Sequence, residues 1–268
     1  WSYDGDTVEG TFAADYSYIA FTYKDQAYRV YYIPSDSSYH GAMIEETKAA
    51  FLGKFLAGTE TDRHDLVVEI KTGYTPSLSI TFDGKAVSNV QYLSGTAMSF
   101  EVGTKVHVLE IVDGEGVITM NVIDLASAEN KDLNALKGNY SAVKVVVNYA
   151  VTKVDGVWTG KFFVTLDGKD ATLAVDTAKN TIHITCGDVV KHFVKVDATT
   201  LYELKDSEYA QLGTYQIGGH TLSVVPTIKS KTERVWDDDE EEYVRVTVYY
   251  MEISYQVDGN SATATSKT

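Results

Sequence analysis

Cysteine is almost missing: Cys186 is the single one in a chain of 268 residues. That excludes an intrachain disulfide and any thiolate-rich metal centre. It does not exclude secretion, because a chain this long can bury a core that is stable without staples. Proline is scarce too, with three residues, so polyproline linkers are ruled out. Apolar runs are strand-length and too short to span a bilayer. Positive charge is in deficit, 23 Lys and Arg against 38 Asp and Glu, for a net charge of −15 and a pI near 4.7. Such a surface repels phosphate backbones and anionic lipid, so neither nucleic acid nor membrane insertion is expected. The chain opens at Trp1 with neither Met nor a signal peptide, and is expected to be a processed or recombinant piece.

Tyrosine, by contrast, is abundant: 19 residues against 9 Phe and 3 Trp. Rings of this kind suit a pleated, half-buried surface and favour strands. Two landmarks recur along the chain. One is a Gly-x-aromatic step at Gly53-Lys54-Phe55, Gly138-Asn139-Tyr140 and Gly213-Thr214-Tyr215. The other is an apolar-Asp-Gly step at Phe82-Asp83-Gly84, Leu166-Asp167-Gly168 and Val257-Asp258-Gly259, with Tyr3-Asp4-Gly5 in the same frame. Gly53 to Gly138 is 85 residues and Gly84 to Gly168 is 84, so both landmarks keep one period. Sixteen residues after three of the turn glycines stand Phe21, Phe100 and Ile184.

The expected fold is mainly β: tandem repeats of an antiparallel meander of about 85 residues, each a small barrel or sandwich, with short helical or linker segments. Asp-Gly between alternating runs is the chemistry of a tight hairpin turn. Segments 66–70, 77–82 and 105–111 read as strands; 45–55, 125–136 and 201–212 read as short helices or linkers. The phase has two readings. Cut at Asp-Gly, the units are 1–80, 81–165 and 166–268, the last with an acidic hairpin insertion. Cut at Gly-x-aromatic, half units 1–48 and 210–268 flank whole units 49–134 and 135–209. Half units leave strand edges and apolar faces to be completed, within a chain or by strand exchange between chains.

No nucleophile elbow, phosphate-binding glycine loop or dinucleotide fingerprint is present, and the chain is not expected to be an enzyme. Cys186 falls beside an apparent turn, which disfavours a thiol nucleophile assisted by His192. The six histidines lack close metal-ligand spacing. His183 and His192 are expected on neighbouring strands, and His107 on a solvated face because Lys191 holds its equivalent position. Asp237-Asp238-Asp239-Glu240-Glu241-Glu242 reads as a solvated hairpin tip. Asp237, Asp238 and Asp239 are candidate calcium ligands, although they lack the spacing of a calcium loop.

Eight tyrosines fall within residues 1–39. Aligned with its equivalents, Tyr16–Phe21 reads as a strand with Ile19 and Phe21 toward the core and Tyr16 and Tyr18 outward. Tyr16, Tyr18, Tyr28 and Tyr32 are therefore the candidate ligand-binding residues, for protein or glycan. The composition and repeats point to a non-enzymatic extracellular or cell-surface module of bacterial type, structural or adhesive. The alternatives are a carbohydrate-binding module and a small barrel holding an apolar ligand.

Overall fold

A computed structural model describes residues 1–35, 38–71, 77–237 and 242–263, with the side chains of residues 32–41 set aside. It is almost entirely antiparallel β. A two-stranded hairpin, β1 (Ser2–Tyr3) and β2 (Asp6–Thr7), precedes a four-stranded meander of β3 (Gly10–Phe12), β4 (Tyr18–Tyr23), β5 (Gln26–Ser35) and β6 (Ser38–Glu45). After helix α1 (Glu46–Ala49) come two more: β7 (Gly53–Thr59), β8 (Asp62–Lys71), β9 (Ser77–Phe82) and β10 (Lys85–Ala86), then β11 (Ser88–Tyr92), β12 (Ala97–Val102), β13 (Lys105–Val112) and β14 (Glu115–Asp124). Helix α2 (Lys131–Ala135) leads into a seven-stranded sheet that nearly closes into a barrel. Its strands are β15 (Gly138–Tyr140), β16 (Val145–Val154), β17 (Val157–Leu166), β18 (Lys169–Asp176), β19 (Thr181–Cys186), β20 (Val189–Lys195) and β21 (Leu201–Leu204). Helix α3 (Asp206–Tyr209) precedes the last meander, β22 (Gly213–Ile217), β23 (His220–Asp237), β24 (Glu242–Val257) and β25 (Asn260–Ala262).

The chain forms two compact units, one of Trp1–Ala126 with Val151–Lys161, the other of Ser127–Ala150 with Phe162–Thr268. In the first, Leu66, Val68 and Phe82 from one meander meet Met98, Phe100 and Leu109 from the next in a single buried cluster. In the second, Tyr140, Val147, Val164, Ile184 and Phe193 fill the interior of the curled sheet. No helix among the described residues is long and apolar enough to cross a membrane.

Local chemistry explains the connections. At the four landmark turns both central residues take positive φ: Asp4 and Gly5 (51° and 83°), Asp83 and Gly84 (50° and 73°), Asp167 and Gly168 (52° and 74°), Asp258 and Gly259 (49° and 80°). That geometry matches the right-handed twist of the strands the turn joins, and Asp followed by Gly tolerates it well. Asp83 also accepts hydrogen bonds from Asp65 N (3.0 Å) and pairs with His64 Nδ1 (2.7 Å). Asp258 repeats both contacts, with Thr221 N at 2.8 Å and His220 Nδ1 at 2.7 Å.

The Gly-x-aromatic step has its own physical cause. Each glycine pairs across the ladder with a buried valine: Gly53 with Val68, Gly138 with Val147, Gly213 with Val224. The ring two residues on, which shares that face, folds back over the glycine. A Cβ at Gly53 would lie 3.2 Å from Phe55 Cζ, and one at Gly138 3.1 Å from Tyr140 Cζ. Gly53 and Gly213 also sit at φ of +152° and +150°, which side chains rarely adopt.

The segments expected to be helices or linkers are less helical than their composition suggested. Only four or five residues of each form a helix, and Leu201–Leu204 pairs with β20 as a strand instead. Leu201 and Leu204 are buried there, and burial outweighs the weak helical preference of so short a polar segment. Replacing Gly53 by Ala is expected to lower the unfolding free energy by about 1–3 kcal/mol in urea melts. Gly95→Ala, where a Cβ meets open space, is the control and should shift it by less than about 0.5 kcal/mol.

Candidate aromatic cleft

In the meander β3–β6 the ladder aligns Ile19, Val30 and Met43 across three strands, with Phe21 opposite Tyr28 beside them. Alternation puts these side chains on one face of the sheet. The hairpin β1–β2 lies against that face. Trp1 and Val8 exchange both backbone hydrogen bonds (2.8 and 3.1 Å), closing the hairpin's base. Tyr3 packs against Phe21 (5.8 Å between centroids) and Tyr23 (4.9 Å). The cover is partial. A cleft of about 400 Å³ opens between hairpin and sheet, lined by Trp1, Tyr3, Ile19, Phe21, Val30 and Met43. A second, of about 550 Å³, is bounded by Tyr28, Met43, Lys48, Leu78, Ile80 and Tyr92.

At the mouth of the first cleft three aromatic rings touch in a row. Trp1 meets Phe12 edge-on at 5.6 Å, and Phe12 meets Tyr16 at 5.8 Å. Their exposures are 55%, 54% and 77%, which is unusual for three neighbouring rings. Gly10 makes room for the indole: a Cβ there would stand 2.2 Å from Trp1 Cζ3.

The four candidate tyrosines do not form one face. Tyr16 lies outside the strand, in a turn at φ +59°, where Asp15 accepts from both Ser17 N (3.1 Å) and Ser17 Oγ (2.7 Å). The turn brings Tyr16 to Phe12. Tyr18 is in β4 on the opposite face from the cleft and is half-buried. There it packs on Tyr31 (5.4 Å) beneath the Arg29 guanidinium (4.4 Å), which forms an ion pair with Glu46. Tyr28 stacks on Phe21 (5.5 Å, 22°) on the cleft face. Tyr32 lies in β5, and its side chain is outside the described residues. Trp1, Val30 and Met43 in the cleft, and Phe12 beside Trp1, are residues that residue type alone did not single out. The spacing of Val30 and Tyr28 on one face was the available signal.

Asp237 ends β23 and pairs with Glu242 at the start of β24. Asp238 and Asp239 lie outside the described residues. Among the described residues no group of three or more His, Cys, Asp or Glu side chains is placed to hold a metal ion. Cys186 pairs with Val189 across its turn.

His107 does not lie on the solvated face expected for it. His107 is 3% exposed, stacked on Phe82 (5.4 Å, 13°) and close to Phe100 (5.5 Å). The β13–β14 ladder shifts register between Val106 and Val108, where Asn121 takes φ +55°. His107 Nδ1 accepts from Asn121 N (3.2 Å), satisfying a donor that the bulge takes out of the regular ladder. A lysine tolerates the equivalent site in another sheet, but here the ring fills a core position. His183 and His192 are cross-strand partners, as expected, with rings 4.7 Å apart. His192 is half-buried, stacks on Tyr209 of α3 (3.6 Å, 5°), and its buried Nδ1 has no hydrogen-bond partner among the described residues. Burial, with His183 and Lys179 nearby, pushes its pKa down.

No protein-family model matches this chain, no curated protein is detectably similar to it, and no solved structure matches it.

Burial, with smaller contributions from His64 and Lys105, holds His107 down to about 4 from its ordinary 6.5. The folded protein therefore keeps His107 neutral between pH 6.5 and about 4, while the unfolded chain binds the proton. Stability from this group is complete above pH 6.5 and falls as pH drops toward 4, by about 3 kcal/mol in all. Urea melts at about pH 7 and about pH 4.5 should show this loss in the natural chain and a smaller one in His107→Phe.

Proposed function

We propose that the chain is a non-enzymatic, extracellular surface module of bacterial type, built from tandem β units and used to contact protein or glycan. The observation that carries this reading is the exposed row Trp1, Phe12 and Tyr16 at the mouth of an apolar cleft. Flat rings bearing a hydroxyl or an indole N–H give large contact area at low entropic cost. Stacking of this kind suits a sugar ring or a partner's side chains. The acidic surface fits a role outside nucleic-acid and anionic-lipid binding.

The folding unit of this reading is the phase with whole units 49–134 and 135–209. Each large buried cluster falls inside one of them, Phe51 to Leu109 in the first and Leu136 to Leu201 in the second. Three landmark residues also share a ladder partner seven places on: Phe21 with Tyr28, Phe100 with His107 and Ile184 with Lys191. The apolar-ligand barrel is less favoured, because Tyr140, Val147, Ile184 and Phe193 occupy the interior of the curled sheet.

A glycan array and a panel of extracellular-matrix proteins test the contact reading. The natural chain is expected to bind at least one class. Phe12→Ala with Tyr16→Ala should weaken that binding tenfold or more, leaving the melting temperature unchanged because both rings are exposed. Absence of any ligand, or binding unaffected by the double variant, rejects it.

A further inference from the structure

The cleft face of β3–β6 has a counterpart inside the same molecule, and the centre of that counterpart is fully covered. Met98 pairs with Leu109, and Leu109 with Ile118, just as Ile19 pairs with Val30 and Val30 with Met43. Met98 and Leu109 are wholly buried, beneath Leu66, Val68 and Phe82 of β7–β10. Ile19 and Val30, by contrast, are only half-buried. What covers them is β1–β2, whose strands have two residues each. Tyr3 meets Phe21 at 5.8 Å much as Phe82 meets Phe100 at 6.0 Å. The hairpin thus reproduces the end of β9 and the start of β10, while among the described residues no strand stands in the place of β7 and β8. So short a hairpin has little stability of its own.

The missing cover is present elsewhere in the chain. The sheet β22–β25 repeats the ladder of β7–β10. Tyr215 pairs with Leu222 and Leu222 with Val257, as Phe55 pairs with Leu66 and Leu66 with Phe82. The glycine φ of about 150° and the His–Asp contact at the hairpin turn recur as well. Leu222 and Val257 are half-buried, whereas Leu66 and Phe82 at the matching positions are buried; Val224 and Tyr255 beside them rest on Val194, Leu204 and Leu212 of their own chain.

From this pairing we infer that the cleft face of β3–β6 is a docking site for β22–β25 of a second copy of this chain. The inference rests on the contact reading above and names the partner at the same cleft. The partner's Tyr215, Leu222 and Val257 cover Ile19, Val30 and Met43, and its β24–β25 turn takes the place of β1–β2. Because the two surfaces differ, the contact is head-to-tail, and the first pairing leaves one face of each kind to take up further copies. Four strands of about six residues make a face of roughly 400 Å² each, or about 800 Å² for the two. That is small for a specific interface, so association depends on concentration.

Sedimentation velocity over a roughly hundredfold concentration range tests this. The natural chain should grow beyond dimer as concentration rises. Val30→Lys spoils one face and Leu222→Lys the other, so each variant alone should remain monomeric. Mixed in equal amounts they should form dimers and stop, since each keeps the face the other lacks. That restored dimer also shows that both variants are folded. A natural chain that stays monomeric, one that stops at dimer, or a mixture that fails to pair overturns the inference. A monomeric chain that still binds a glycan or matrix protein through Phe12 and Tyr16 removes this partner but leaves the contact reading. A monomeric chain with no ligand removes both.

Discussion

A four-stranded antiparallel meander has one face that must leave water, and it cannot cover that face by itself. Every large feature of this molecule follows from how that cover is supplied. In β7–β14 two meanders share one core, with Leu66 and Phe100 wholly buried between them. In β15–β21 a single sheet curls until its own side chains meet around Phe193 and Ile184. The last meander rests Val224, Ile253 and Tyr255 on Val194, Leu204 and Leu212. The first has only a short hairpin, and its cleft is the consequence. Each aliphatic side chain left half-covered there forgoes on the order of 1 kcal/mol of burial, a standing incentive for contact.

Short-range chemistry holds these sheets in register. Asp-Gly turns with two positive φ values fix which strands pair and where. The side chain of the turn Asp then reaches back to the neighbouring strand, twice meeting a histidine at 2.7 Å. Gly-x-aromatic steps do a different job at the start of each sheet. The glycine gives up its side chain so that a ring can lie over the backbone opposite a buried valine. A one-residue slip at either landmark would turn the apolar face outward.

Aromatic and histidine residues show how far residue type can mislead about exposure. Tyr18 and Tyr28 are separated by one strand pairing yet serve opposite faces. One is locked under Arg29, the other stacks on Phe21. His107 occupies a core position because a bulge presents it with an N–H to accept. Each placement follows from which backbone groups and which face the sheet left over, and neither is a property of the residue itself.

By itself the sequence determined the β character and the turns and their spacing, because alternation and turn chemistry are local. It also marked Tyr16 as exposed. Only the tertiary structure decided what met what. It placed Tyr16 in a turn beside Phe12 and Trp1, buried His107, stacked His192 on Tyr209 and left the face of Ile19 and Val30 half-covered. Those outcomes depend on which sheets pack together across long stretches of chain, and no local periodicity encodes that choice.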